Sequence, residues 1–317
     1  MKANKSLTCE KPVSLKKRKI DIDNLQLWLL AIVPVLLVVI FCYVPMGGII
    51  IAFKDYNYRD GIFGSPWVGL KNFEFMLTTP TFARIAWNTI FMNVLMIGAG
   101  TCTSVIIALL LFQFRSRKST KIYQTIMITP HFISWVVVSY MAYAILHPTN
   151  GTLNQLLEIF NIPPVDWYGE PDKWPGILTI AYIWKYIGMD SLIYYAALMG
   201  IDSSLIEAAQ VDGANKRQVN RHIMIPCLAG ILCIQLIIKV GSIFRADFGL
   251  FYQVPRNIGA LYSTTDVIDT YIFRAMRVSG DMGTSSATGL LQSVVGFVTV
   301  VITNSIVKKI DDEKSLF

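Results

Sequence analysis

Six long apolar blocks limit what this chain can become. They lie near 28–53, 87–112, 122–146, 176–200, 223–244 and 286–307, and a helix needs about 20 apolar residues to cross the hydrocarbon core of a bilayer. Loops and open strands are excluded from that path, because lipid offers their backbone groups no partner. Strands of a membrane barrel would show alternating polarity over about 10 residues instead. Charged residues make up 15% of the 317, where a soluble domain carries about 25%. The sequence therefore predicts an all-α integral membrane protein with six transmembrane helices.

The net charge of +7 invites a nucleic-acid reading, but its distribution follows membrane topology. With the N-terminus placed in the cytoplasm, the segments 1–27, 113–121, 201–222 and 308–317 hold 17 Lys and Arg in 68 residues. The opposite segments 54–86, 147–175 and 245–285 hold 9 in 103. Positive charge gathers on the cytoplasmic side of membrane proteins, so both termini are expected there and no nucleic-acid partner is implied. Lys16, Lys17, Arg18 and Lys19 fit this pattern just before a first span. That span is too long for a cleaved signal and contains Pro34 and Pro45, so it reads as an uncleaved anchor. Cys9, Cys42, Cys102, Cys227 and Cys233 show no metal-ligand spacing and read as reduced, small apolar residues.

The expected division is a basic cytoplasmic tail at 1–27, a first membrane helix and outer loop at 28–86, a five-helix domain at 87–307 and a cytoplasmic tail at 308–317. Loop 147–175 carries an amphipathic run (Leu153, Leu156, Leu157, Phe160) followed by Pro163, Pro164 and Trp167. Loop 245–285 is 41 residues long and rich in aromatics. A loop of that length is expected to be folded.

Loop 201–222, between the fourth and fifth blocks, is the most informative. Asp202 or Ser203 suits a helix cap, Ala208 and Ala209 favour helix and leave a low surface, and Gly213 suits a left-handed C-terminal turn. A second short helix would lead to Pro226. The predicted product is a helix–turn–helix elbow on the cytoplasmic side.

Glu207, Ala208, Ala209 and Gly213, then Ile223 and Pro226, resemble the E-A-A-x-x-x-G … I-x-L-P loop of binding-protein-dependent ABC importer permeases, with Ile225 in place of the leucine. The run Trp184–Gly200, the run Thr265–Tyr271, then Gly289, Gln292 and Ser293, and the closing Ser315–Phe317 are similar to the polysaccharide and oligosaccharide permeases of the LplB type. Arg217, Asn220 and Arg221 depart from the apolar or aromatic residues common in that family. The resemblance implies a bacterial inner-membrane subunit that forms the path for a carbohydrate. Glu207, Ala208, Ala209, Asp212, Gly213, Ile223 and Pro226 would couple it to a separate ATPase. The implied partners are two ATPase subunits holding ATP and Mg, a second permease and an extracytoplasmic substrate-binding protein. No cofactor is expected on this chain, which has no phosphate-binding G-x-x-x-x-G-K-[ST] loop.

Lys185, Asp190 and Lys239 are charges inside apolar blocks, where ions are costly unless paired or wet. Five residues apart, Lys185 and Asp190 share a helix face badly, so each is expected to reach another helix or the pore, with Lys239 near enough to an end to snorkel. Tyr182, Trp184, Tyr186 and Tyr194 crowd the fourth block and suit either sugar rings or helix packing. His131, beside Pro130, reads as a hydrogen-bonded helix-start residue. A secondary transporter driven by an ion gradient through Asp190 competes with the importer reading but leaves the elbow unexplained. A membrane enzyme would need clustered acids or histidines, which the sequence lacks.

Overall fold

The computed structural model describes residues 22–114 and 116–310. Lys16–Lys19, Cys9 and Ser315–Phe317, with most of the two predicted tails, lie outside the described residues. The chain divides into two units at Ile49–Ile50.

The first unit holds α1 (Ile22–Val38), continued by a π turn over Val39–Tyr43 and a short turn over Val44–Met46. Proline has no N–H to donate, and the wider π turn lies directly before Pro45. Every described side chain from Gln26 to Gly47 is exposed. Most are Leu, Ile, Val or aromatic, a surface suited to lipid.

In the second unit, α2 (Lys71–Thr78) precedes α3 (Pro80–Phe112), a single helix of 33 residues. Next come α4 (Arg117–Ile128), α5 (Trp135–Leu146), α6 (Thr152–Ile159) and α7 (Trp174–Met199). α8 (Ser203–Val211) and α9 (Lys216–Val219) form the helix–turn–helix, and α10 (Ala229–Gly241) follows. The predicted outer loop is folded into α11 (Phe248–Gln253), α12 (Tyr262–Thr265) and α13 (Ile268–Arg277) before the closing α14 (Met282–Ile310).

The apolar blocks do not all become straight spans. Three helices, Gln26–Phe53, Pro80–Phe112 and Met282–Lys309, are long and apolar enough to cross alone, and six spans are reached only if each bent pair counts as one. The third block, 122–146, breaks at Ile133–Ser134, and its halves meet at 98°. Pro130 sits in a 3-10 turn at Thr129–Phe132, and Ser134 restarts the helix by accepting a hydrogen bond from the Val137 amide. The fifth block bends by 58° near Leu228, just after a π turn at Asn220–Met224 and Pro226. A third bend, of 73°, separates α7 from α8, beyond the end of its apolar block.

The most extensive helix contact joins α3 and α7. Around one end of α7, Met92, Met96, Val138, Trp174, Leu178 and Phe251 share a core with Tyr168 and Val254. Around the other end, Ala108, Leu109, Tyr194, Leu198, Val219, Met224 and Leu228 form a second core. α4 also packs on α7, and Gly188 is what allows it: a Cβ there would lie 2.0 Å from the Met127 carbonyl oxygen.

Candidate functional site

The break between α4 and α5 lies against α7, and polar side chains converge there. A broken helix leaves carbonyls without partners. Lys185 supplies donors: its Nζ bonds the Pro130 oxygen at 3.3 Å, the His131 oxygen at 3.2 Å and the Ile133 oxygen. The same ammonium lies 5.0 Å from the Trp135 ring centre, close enough for a cation–π contact. Lys185 is 5% exposed, so its charge is spent on the break rather than on an open path. Lys185→Met would leave three carbonyls short of a donor, at about 1–3 kcal/mol for each group left unsatisfied. A clear drop in the melting temperature of the detergent-solubilised protein is expected, and an unchanged melting curve would contradict this role.

Beside Lys185 on α7, Tyr182, Tyr186 and Asp190 recur every four residues and share a face. Tyr182 and Tyr186 are in ring contact at 4.9 Å, and the Tyr186 phenol donates to Asp247 Oδ2 at 2.8 Å. The Trp135 indole donates to the same oxygen at 2.8 Å, while Asp247 Oδ1 accepts the Leu250 amide and caps α11. Asp247 thereby joins α5, α7 and α11. His131 does not fill the role expected of it: its ring meets Tyr186 edge-on at 5.6 Å, and its Nδ1 is buried without a hydrogen-bond partner among the described residues.

Asp190 pairs with Lys239 of α10 at 2.6 Å, with side chains 20% and 17% exposed. Lys239 therefore does not snorkel outward. Tyr194 is 1% exposed in the core beside α8. Trp184 faces away from the Tyr182 row and lines an apolar groove with Val138, Met141, Ile145, Ile177 and Ile180. Of the seven side chains expected along the path, the structure thus gathers Tyr182, Lys185, Tyr186, Asp190 and Lys239 and separates Trp184 and Tyr194. Sequence reasoning missed Trp135 and Asp247. Ser134 before an apolar run was a legible helix start, but nothing in sequence joined Trp135 to a residue 112 positions away.

The segment after α10 is pinned by side-chain amides, those of Asn88 and Gln292 buried and that of Asn93 half-buried. Asn93 donates to the Ile243 oxygen at 2.8 Å, Asn88 to the Ser263 oxygen at 3.0 Å, and Gln292 to Asp269 at 3.1 Å. Burial raises the Asp269 carboxyl pKa against the downward pull of the Ala246 amide and Gln292.

The helix–turn–helix forms a second constellation. Asp202 caps α8 by accepting the Ser204 amide at 2.9 Å, and that bond holds its carboxyl below the ordinary value. The cap is therefore complete above the unfolded carboxyl pKa and weakens as pH falls through the folded one. At the far end Gly213 has φ +84°. Its amide donates to the Gln210 oxygen, and the Ala214 amide donates to the Ala209 oxygen, the hydrogen-bond pair that closes a helix through a left-handed residue. Asn215 and Gln218 then form a capping box on α9.

The two faces of α8 differ. Ile206 and Ala209, with Ala214 and Ile223, pack on the core of Tyr194, Leu198, Val219 and Met224. Leu205, Glu207, Ala208, Val211 and Asp212 are exposed, Val211 at 87%. Of the two alanines, only Ala208 offers an outward surface. Gly213 and Pro226 are also exposed, as are Arg217 and Arg221, while Asn220 is half-buried.

Residues 100–312 match the family model described as the inner membrane component of binding-protein-dependent transport systems. The chain is 31% identical to the polygalacturonan/rhamnogalacturonan transport system permease protein YteP of Bacillus subtilis (strain 168), over 94% of this chain and 93% of that protein. It is also 31% identical to protein LplB of the same organism, over 90% of each. A crystal structure of a bacterial ABC transporter involved in the import of the acidic polysaccharide alginate contains a similar chain. The match has a TM-score of 0.83 and 30% identity, and covers 92% of this chain and 97% of that one.

Proposed function

Because this chain belongs to the inner membrane components of binding-protein-dependent transport systems, we propose that it is the permease subunit of an ATP-driven importer for an acidic oligo- or polysaccharide fragment. The carbohydrate part rests on its similarity to permeases of polygalacturonan and alginate import. The single observation that carries the coupling part is the two-sided α8. Its inner face packs into the core formed by α3, α7, α9 and the start of α10, while its outer face leaves Leu205, Ala208 and Val211 uncovered.

These three residues recur at helical spacing, and with Glu207 and Asp212 they offer an ATPase an apolar ridge bordered by acid. ATP and Mg belong to two such partner subunits. A second permease would complete the path, and an extracytoplasmic substrate-binding protein would deliver the sugar on the side of α11–α13. Both termini lie on the ATPase side in this reading, which follows the distribution of Lys and Arg. ATPase closure would push on α8, and α7 and α10 would tilt with it. The Tyr182–Tyr186 face, edged by the Asp190–Lys239 pair, is the proposed wall of the sugar path, since aromatic faces and phenols suit sugar rings. Asp190 is ion-paired rather than free, which leaves the gradient-driven reading without support.

The test is uptake of labelled trigalacturonate by vesicles holding the purified complex and its receptor. Uptake is expected to require internal-side ATP and to survive ionophores. This chain alone is expected to hydrolyse no ATP above a detergent blank. Uptake that ignores ATP and collapses with the ion gradient would sink the importer assignment.

A further inference from the structure

We propose that Arg256 is a specificity-determining residue that binds a carboxylate of the transported sugar in a pocket between α5 and the end of α11. The proposal rests on the acidic-carbohydrate reading and assigns its charge recognition to one side chain.

The backbone supplies the first observation. The Arg256 amide donates to the Gln253 oxygen at 3.0 Å and the Asn257 amide to the Tyr252 oxygen at 3.2 Å. This is the bond pair that closes α8 through Gly213. Here, however, the left-handed positions are Arg256 at φ +56° and Asn257 at φ +51°. Glycine takes that conformation freely, whereas a residue with a Cβ is strained in it. Local strain of this kind points to a demand on the side chain.

The side chain supplies the second. The Arg256 guanidinium lies 4.2 Å from the Tyr143 ring centre and 5.6 Å from that of Tyr140. The three ion pairs among the described residues join Lys173 to Glu170, Lys239 to Asp190 and Arg274 to Asp266, so Arg256 has no acidic partner among them. Its planar donors are available for a bidentate bond to a carboxylate.

The surroundings supply the third. Arg256 borders a cavity of about 310 Å³ with Ser139, Tyr140, Tyr252, Gln253 and Asn257, near the lower end of the ~300–1,000 Å³ usual for ligand pockets. On α5, Tyr143 is the helical neighbour of both Ser139 and Tyr140, four and three residues before it. Ser139 ties α5 to α11 by donating to the Gln253 oxygen at 2.6 Å. Aromatic rings, amides and one cation together suit a uronic acid unit, with the ring on tyrosine and the carboxylate on Arg256.

The experiment compares trigalacturonate with its fully methyl-esterified, uncharged form, in vesicles holding the whole transporter and receptor. Arg256→Gly removes the cation and relieves the left-handed strain, so the complex should melt no lower than wild type. Its preference for acid over ester should fall about tenfold or more, as loss of a charged hydrogen bond implies. Arg256→Lys should retain an intermediate preference. Equal loss of both forms, or no change in either, would overturn the assignment. Wild-type vesicles that import neither form would overturn it through the acidic-carbohydrate reading itself, a failure visible before any substitution.

Discussion

A Gly213→Val variant is expected to reach the membrane at normal levels and to import sugar at a tenth of the wild-type rate or less. At φ +84° a left-handed residue with a Cβ costs about 1–2 kcal/mol, and a β-branched one is a clear outlier. Beyond Gly213 itself and its two chain neighbours, no heavy atom lies within 4 Å of a Cβ built there, so the harm comes from the backbone turn rather than from a clash. The chain can relieve that strain only by giving up the two hydrogen bonds that close α8. α8 and α9 then lose their mutual angle. The core they cover, with Tyr194, Leu198 and Met224, leaves the turn itself solvent-facing, so insertion should persist. Glu207→Lys, on the exposed side of α8, should give the same phenotype if α8 is the proposed ATPase contact, because it reverses one of the charges on that face. Import at the wild-type rate by both variants, at equal membrane levels, would show that this segment is not where ATP hydrolysis is coupled.

The second large effect concerns the Asp190–Lys239 pair. Removing one partner from a buried pair costs about 3–5 kcal/mol, because the other charge is stranded; exposures of 20% and 17% favour the low end. Lys239→Met and Asp190→Leu should each lower the melting temperature of the purified protein. The double variant Asp190→Leu/Lys239→Met should recover much of the loss, since an apolar pair of similar size is often neutral. The resulting coupling energy should exceed about 1 kcal/mol. Simple additivity of the two losses would mean that the pair contributes nothing.

Much of α8 and its turn was legible in the sequence, because Asp202, the alanines and Gly213 act through bonds within a few residues of themselves. The apolar blocks were legible as well, but not their breaks. A hydropathy pattern sums over Thr129–Ser134 and does not register that Pro130 and Ser134 stop and restart a helix at 98°. The sequence argued correctly that Lys185 and Asp190 would not pair with each other. It could not supply their partners, because the carbonyls of Pro130, His131 and Ile133 and the ammonium of Lys239 belong to other helices. Leu205 and Val211 drew no attention because an apolar residue on a short helix is ordinarily buried. Only their exposure in the fold distinguishes them.

The fastening of α7 to α10 has a mechanical corollary. α7 holds 26 residues, about 39 Å at 1.5 Å per residue. Asp190 stands nine residues from its Met199 end, roughly 14 Å along the axis by the same rise. A tilt of ~10° about the α8 end would move the far end of α7 by about 7 Å and the ion pair by only about 2 Å. Two helices clasped so near the fulcrum can swing together without breaking the bond that holds them. By leverage alone, the Trp174 end would then travel about three times as far as the ion pair.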